Sequence, residues 1–145
     1  MARGNQKRKT KGSTGLNKKS AADFMDKNRH KPGVMETESG LQYVVVDAAE
    51  DPGKQPTLED SVTVQQRIAL LDGTVIEDTY KKPAPATFSM QEAIEGYQEG
   101  LSLMKAGDRF KFFIPSDLAW GKRGAGRNIG PYATLIIDAR LIEVG

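Results

Sequence analysis

Between Ser61 and Leu71 the chain alternates, with Val62, Val64, Ile68 and Leu70 on one side and Thr63, Gln65 and Arg67 on the other. A period of two is the mark of a half-buried strand. Asp72-Gly73 follows at once, and Thr74-Val75-Ile76 resumes the extended pattern. An Asp-Gly pair suits the tight turn whose twist matches its flanking strands, so this stretch predicts an antiparallel hairpin. The rest of the chain has to supply its partners.

It offers several. Leu41-Gln42-Tyr43-Val44-Val45-Val46 is a β-rich run, and Thr87-Phe88 is a short extended piece. Phe110, Phe112 and Ile114 alternate with Arg109 and Lys111, and Leu135, Ile137, Ala139 and Leu141 share a face opposite Asp138 and Arg140. One segment has the other period. Ile94, Tyr97, Leu101 and Met104 recur at spacings of three, four and three, one stripe of a helix running from Ile94 to Met104, with Gly107 as its stop. Gly96 and Gly100 cost about 1 kcal/mol each relative to Ala in a helix interior. Their presence points to a short helix lying close against something flat. The expectation is an α+β fold, a twisted antiparallel sheet of about five strands wrapped around one short amphipathic helix.

Charge divides the chain in two. Residues 1–32 hold ten Lys or Arg against Asp23 and Asp26, a net +8, which leaves −6 for the remainder of a chain whose total is +2. Residues 1–20 have a single Leu16 amid Lys, Arg, Gly, Ser, Thr and Asn, too little apolar surface to offset the entropy of ordering. The expected division is a basic, largely disordered tail over 1–32 and a compact domain over 33–145. A short helical turn fits Ser20 to Asn28, with Ala22, Phe24 and Met25 as its apolar face, before Lys31-Pro32-Gly33 breaks it. Clustered cations in residues 1–20 suit either a solubilising tail or a contact with nucleic acid or the ribosome through counterion release. No aromatic residue interleaves with them, which argues against base stacking.

The usual enzyme apparatus is missing. The chain has no cysteine and one histidine, His30, which lies in the polar stretch, so thiolate chemistry and a histidine metal cluster are excluded and no metal or cofactor is expected. Gly121-Lys122-Arg123-Gly124-Ala125-Gly126 lacks the G-K-[ST] ending of a phosphate loop and reads as a flexible surface loop. Glu77 and Asp78 are adjacent in an extended segment and point to opposite faces. No apolar run is long enough to span a membrane, and no apolar h-region follows the basic start, so the expected location is cytoplasmic. What survives is binding, or catalysis that needs no nucleophile.

The C-terminal block resembles the FKBP-type peptidyl-prolyl cis/trans isomerases, most of all the bacterial macrophage infectivity potentiator subgroup. The likeness rests on Ser39-Gly40-Leu41-Gln42-Tyr43, Leu71-Asp72-Gly73-Thr74-Val75, Pro85-Ala86-Thr87-Phe88 and Ala93 through Leu101. It continues through Met104 to Gly107, Phe113 to Gly121, Gly124-Ala125-Gly126, Ile129-Gly130-Pro131 and Ala133 to Ile136. It spans about residues 33–145, and the basic tail stands where that subgroup has a helical dimerising arm. The resemblance implies a pocket that binds proline-containing polypeptides and turns their X-Pro bonds without a cofactor.

Carried over by position, Ile94 matches the isoleucine whose backbone amide holds the substrate carbonyl, and Phe88, Ala93 and Ile129 match pocket walls, with Ile129 on a flap over 121–132. Tyr97 stands where the family has a tryptophan floor, and Trp120 where it has a tyrosine hydroxyl donor. Ile76 and Ile137 replace phenylalanine walls, Glu77 replaces an aspartate, and Gln66 replaces the tyrosine that bonds it. Gln66 is also the one polar residue on the face of Val62 and Val64, and a buried glutamine needs partners, Glu77 across the hairpin being the natural one. That pair reads either as part of the pocket or as a satisfied core contact. Fewer aromatic rings imply weakened turnover and weak macrolide binding. A proline-segment holder with little turnover and a tail-tethered ribosome or nucleic-acid accessory are the alternatives.

Overall fold

The computed structural model describes residues 14–82, 84–126 and 129–145. The hairpin signal is realised. Strand β3, as numbered below, ends at Leu70, whose N–H donates to Thr74 O at 2.9 Å while Gly73 N–H donates to Leu70 O at 3.0 Å. Gly73 adopts φ +93°, a left-handed geometry that glycine reaches without steric cost. The Thr74 N–H caps the Asp72 carboxylate at 2.9 Å, which holds that group below the usual aspartate range.

In chain order the elements are α1 (Thr14–Asn28), β1 (Met35–Glu36), β2 (Gln42–Asp47), β3 (Ser61–Leu70), β4 (Val75–Asp78), β5 (Ala86–Ser89), α2 (Glu95–Leu101), β6 (Arg109–Ile114) and β7 (Leu135–Val144). Short 3-10 turns at Met90–Glu92 and Ser116–Leu118 lead into α2 and out of β6. The seven strands pair antiparallel in the order β1-β2-β6-β7-β3-β4, with β5 also on β3. The sheet thus exceeds the expected five strands, partly through β1, two residues long and too short to show a period. The centre is the ladder of β3 on β7, running from Val62 beside Val144 to Leu70 beside Leu135.

Alternation decides the core. Val62, Val64, Phe112, Ile114, Leu135, Ile137, Ala139 and Leu141 turn to one face and pack on Leu41, Met90, Leu101 and Met104. Helix α2 is only seven residues long, shorter than the Ile94–Met104 expected, because Ile94 is its N-cap and Ser102 its C-cap. The stripe nevertheless faces inward. Gly96 and Gly100 explain the closeness of the seat, since a Cβ on Gly100 would lie 2.5 Å from the Phe112 ring and one on Gly96 2.5 Å from Ile114 Cγ2.

The tail needs a correction. The helical turn expected over Ser20 to Asn28 is present, but it belongs to a fifteen-residue helix that begins at Thr14, inside the stretch expected to be disordered, so α2 is neither the sole helix nor the longest among the described residues. Docking at its C-terminal end supplies what composition could not. Phe24 meets the Phe113 ring at 5.8 Å, Met25 and Asn28 are buried, and Asn28 Nδ2 donates to Gln42 Oε1 at 2.8 Å. Gln42 Nε2 in turn donates to Met25 O and to Glu36 Oε2, both at 3.0 Å. Few helices of this length are stable alone, and tertiary contact commonly makes the difference. Residues 1–13, with most of the cations assigned a nucleic-acid or ribosome contact, lie outside the described residues.

Candidate active site

Gln66 sits mid-strand in β3 and is 5% exposed. Its side-chain amide donates to Glu77 Oε1 across the hairpin at 2.8 Å, the partner anticipated from the alternation. Its carbonyl oxygen accepts the Tyr97 hydroxyl, also at 2.8 Å. The backbone is tied as well: Gln66 N–H donates to Thr79 Oγ1 at 2.8 Å, and Thr79 N–H donates back to Gln66 O at 2.9 Å. Every polar group of this glutamine is therefore engaged, as burial demands.

Tyr97 comes from the first turns of α2 and is 5% exposed. Its ring lies 5.8 Å from Phe88 on β5 and 6.0 Å from Phe112 on β6, the second contact edge to face. Burial pushes its hydroxyl well above the ordinary tyrosine value, so it stays a neutral donor. Just before it, Ile94 has extended backbone at the helix start, and its N–H has no hydrogen-bond partner among the described residues. An unpaired N–H at a half-buried helix start, beside an aromatic floor, is positioned to meet an acceptor from outside.

The remaining residues divide by depth. Ile76, Phe88, Ala93 and Ile94 are partly buried and pack on the core cluster that contains Tyr97, Ile129 and Ile137. Ile137 is 1% exposed, between Ile68 of β3 and Phe112 of β6 in register, so it is a sealed core residue and not an open wall. Ile129 is 8% exposed and turned inward, exchanging backbone hydrogen bonds with Ala125 at 2.7 and 3.2 Å. Trp120 is different. It is 39% exposed and stands outside the core cluster, at the start of the loop that carries Ile129. Glu77 is likewise exposed. Two contributors were not assigned to the site from the sequence: Thr79, which is buried just after β4, and Phe112, whose strand alternation was legible but whose ring contact with Tyr97 was not.

Chemically this is a partly buried apolar cluster that carries one chain of hydrogen-bonded side chains, Tyr97 to Gln66 to Glu77, and the Ile94 N–H, which has no partner among the described residues. Among the described residues no three acidic or histidine side chains gather as a metal site, and none of the described helices is long and apolar enough to cross a membrane.

The family model for FKBP-type peptidyl-prolyl cis-trans isomerase matches residues 53–142. The chain belongs to this family. A second model, the domain amino terminal to FKBP-type peptidyl-prolyl isomerase, matches residues 1–45. The family likeness therefore includes the stretch expected to be a separate basic tail in place of an arm.

Relatives in this FKBP family include a probable FkpA isomerase of Neisseria meningitidis, 42% identical over 94% of this chain and 50% of that protein. Another is the peptidyl-prolyl cis-trans isomerase Mip of Coxiella burnetii, 43% identical over 83% of this chain and 52% of its own length. The chain spans about half the length of these relatives. Among solved structures, FkpA from Escherichia coli superposes with a TM-score of 0.84 at 33% identity, covering 90% of this chain and 60% of that one. A peptidyl-prolyl cis-trans isomerase from Pseudomonas syringae gives 0.84 at 29% identity, covering 94% of this chain and 99% of its own.

Proposed function

We propose that this FKBP-type chain isomerises X-Pro bonds of polypeptides, with turnover and macrolide affinity below those of relatives whose pocket walls are aromatic. The observation that carries the reading is the pairing of the unpartnered Ile94 N–H with the Tyr97 floor, pinned through Gln66 to Glu77.

Rotation about an X-Pro amide crosses a barrier of about 18–20 kcal/mol, set by resonance that keeps the bond planar. No bond is made or broken, so no nucleophile, base or metal is required. An apolar recess that grips the proline ring on Tyr97, between Phe88 and Ile129, disfavours the charge-separated planar form. The Ile94 N–H holds the substrate carbonyl while the amide turns, and the exposed Trp120 indole N–H donates to the substrate from the rim. Ile76 supplies less contact area than a phenyl ring would. A lost ring contact is worth about 0.5–1.5 kcal/mol beyond area, so the loss at Ile76, the replaced position nearest the rim, lowers macrolide affinity by about two- to tenfold.

The test is a protease-coupled isomerisation assay on X-Pro peptides with varied X, run beside macrolide binding. Measurable turnover that collapses in Tyr97→Ala, together with weak macrolide binding, supports the reading. Absence of turnover on every peptide, with retained binding of proline segments, would make the chain a proline-segment holder instead.

A further inference from the structure

We infer that Tyr132 is a positioning residue that holds the 121–132 loop over the recess, and that helix α1 sets its grip through Lys18. The inference rests on the isomerase reading only in taking Ile129 and Trp120 as recess residues.

The described parts of the loop, residues 121–126 and 129–132, are tied together as a strap. At its stem, Gly121 N–H donates to Ser116 O at 2.8 Å and Tyr132 N–H donates to Gly121 O at 2.9 Å. Higher up, Gly124 N–H donates to Trp120 O at 3.2 Å, and the Ala125–Ile129 bridge closes the tip. Trp120 and Ile129 thus leave from one backbone unit, and the Tyr132–Gly121 hydrogen bond is its clasp. Tyr132 makes that bond at φ +59°, the one non-glycine among the described residues in the left-handed region. Such geometry in a bulky residue is uncommon and persists where the surroundings over-determine it.

One such constraint comes from α1. The Lys18 ammonium lies over the Tyr132 ring, 5.2 Å from its centroid. The helix is anchored at the far end, where Phe24, Met25 and Asn28 dock on the sheet. Between anchor and ring runs a groove of about 290 Å³, lined by Ala21, Ala22 and Met25 on one side and Pro115, Ser116 and Thr134 on the other. A helix fixed at one end, separated from the body by a groove and resting its other end on the strap's clasp can transmit displacement to the strap. Any ligand or chain that shifts the amino-terminal half of α1 then alters how Ile129 and Trp120 are held.

The experiment uses the full chain and two readouts, amide exchange at Ala125 and Ile129, and KM and kcat on an X-Pro peptide. Lys18 is exposed, so Lys18→Ala is expected to leave the fold intact, as surface substitutions usually do. An exposed cation–ring contact corresponds to roughly a two- to fivefold change in an equilibrium. Lys18→Ala and Tyr132→Leu are expected to speed exchange at both amides by about that factor and to raise KM more than they lower kcat. Lys18→Arg, which keeps a cation over the ring, restores both readouts. Unchanged exchange in Lys18→Ala, or loss of protection in Lys18→Arg equal to that in Lys18→Ala, overturns the inference. If the unaltered chain turns over no peptide, the isomerase reading fails, and exchange alone decides whether α1 holds the strap.

Discussion

The Tyr97 hydroxyl donates to Gln66 Oε1 at 2.8 Å, joining helix α2 to the central strand inside the core. Because the Gln66 amide is already committed to Glu77, the hydroxyl completes a chain of three side chains that fixes the height of the floor. Tyr97→Phe leaves the Gln66 carbonyl buried without a donor, and such an orphaned group costs about 1–3 kcal/mol. In Gln66→Leu/Tyr97→Phe both partners are gone, and a urea-midpoint double-mutant cycle is expected to return a coupling of about 0.5–3 kcal/mol. Additive losses would show that the bond contributes nothing.

The same burial makes stability sensitive to alkali. The folded-state ionisation of Tyr97 is raised above the ordinary value of 10.0, first by desolvation. The unfolded chain therefore releases this proton at lower pH than the folded one, and stability falls as pH rises past the ordinary tyrosine value. Denaturant midpoints between pH 8 and pH 11 are expected to decline above about pH 10. Tyr97→Phe should flatten the curve. An equal slope in the variant would assign the decline to other groups.

Leu101 on α2 is fully buried. Leu101→Ala is expected to cost about 2–5 kcal/mol as a core truncation. A loss below about 0.5 kcal/mol, within the range of ordinary surface changes, would mean that the helix stripe does not carry the packing given to it.

Gly100→Ala opposes two effects of known size. Helix propensity favours Ala by about 1 kcal/mol. The added methyl would stand 2.5 Å from the Phe112 ring, an overpacking that typically costs about 1–3 kcal/mol. The expected net is a loss of up to about 2 kcal/mol in the chemical-denaturation midpoint, with the edge-to-face contact of Phe112 and Tyr97 disturbed in near-ultraviolet dichroism. A gain in stability would mean that α2 can move off β6 freely.

Restoring aromatic walls separates two positions that the family likeness treats alike. Ile76 is partly buried at the recess, so Ile76→Phe is expected to raise both turnover and macrolide affinity, by about two- to tenfold for one ring contact. Ile137 is sealed between Ile68 and Phe112, so Ile137→Phe is expected to cost about 1–3 kcal/mol of stability before it improves binding. Paired kinetic and unfolding measurements on the single variants decide this, and a stable, more active Ile137→Phe would contradict it.

What could be read from the residues in order was whatever depends on period and local turn chemistry. The Asp72-Gly73 hairpin, the alternation of β3, β6 and β7 and the inward stripe of Tyr97, Leu101 and Met104 are set by neighbours one to four residues apart. The Gln66–Glu77 pair was legible for the same reason, since a lone polar residue on an apolar strand face must find a partner across the hairpin. Tertiary structure alone decided the rest. Thr14–Asn28 has apolar residues enough to suggest only the turn at Ser20 to Asn28, and the full helix is held by Phe113 and Gln42, distant along the sequence and adjacent in space. Strand alternation shows which way Ile137 faces, but not that it is enclosed within the core cluster while Ile76 and Trp120 stay nearer the rim. Depth is a property of the layers a residue lies beneath, and those layers come from parts of the chain that meet only when it folds.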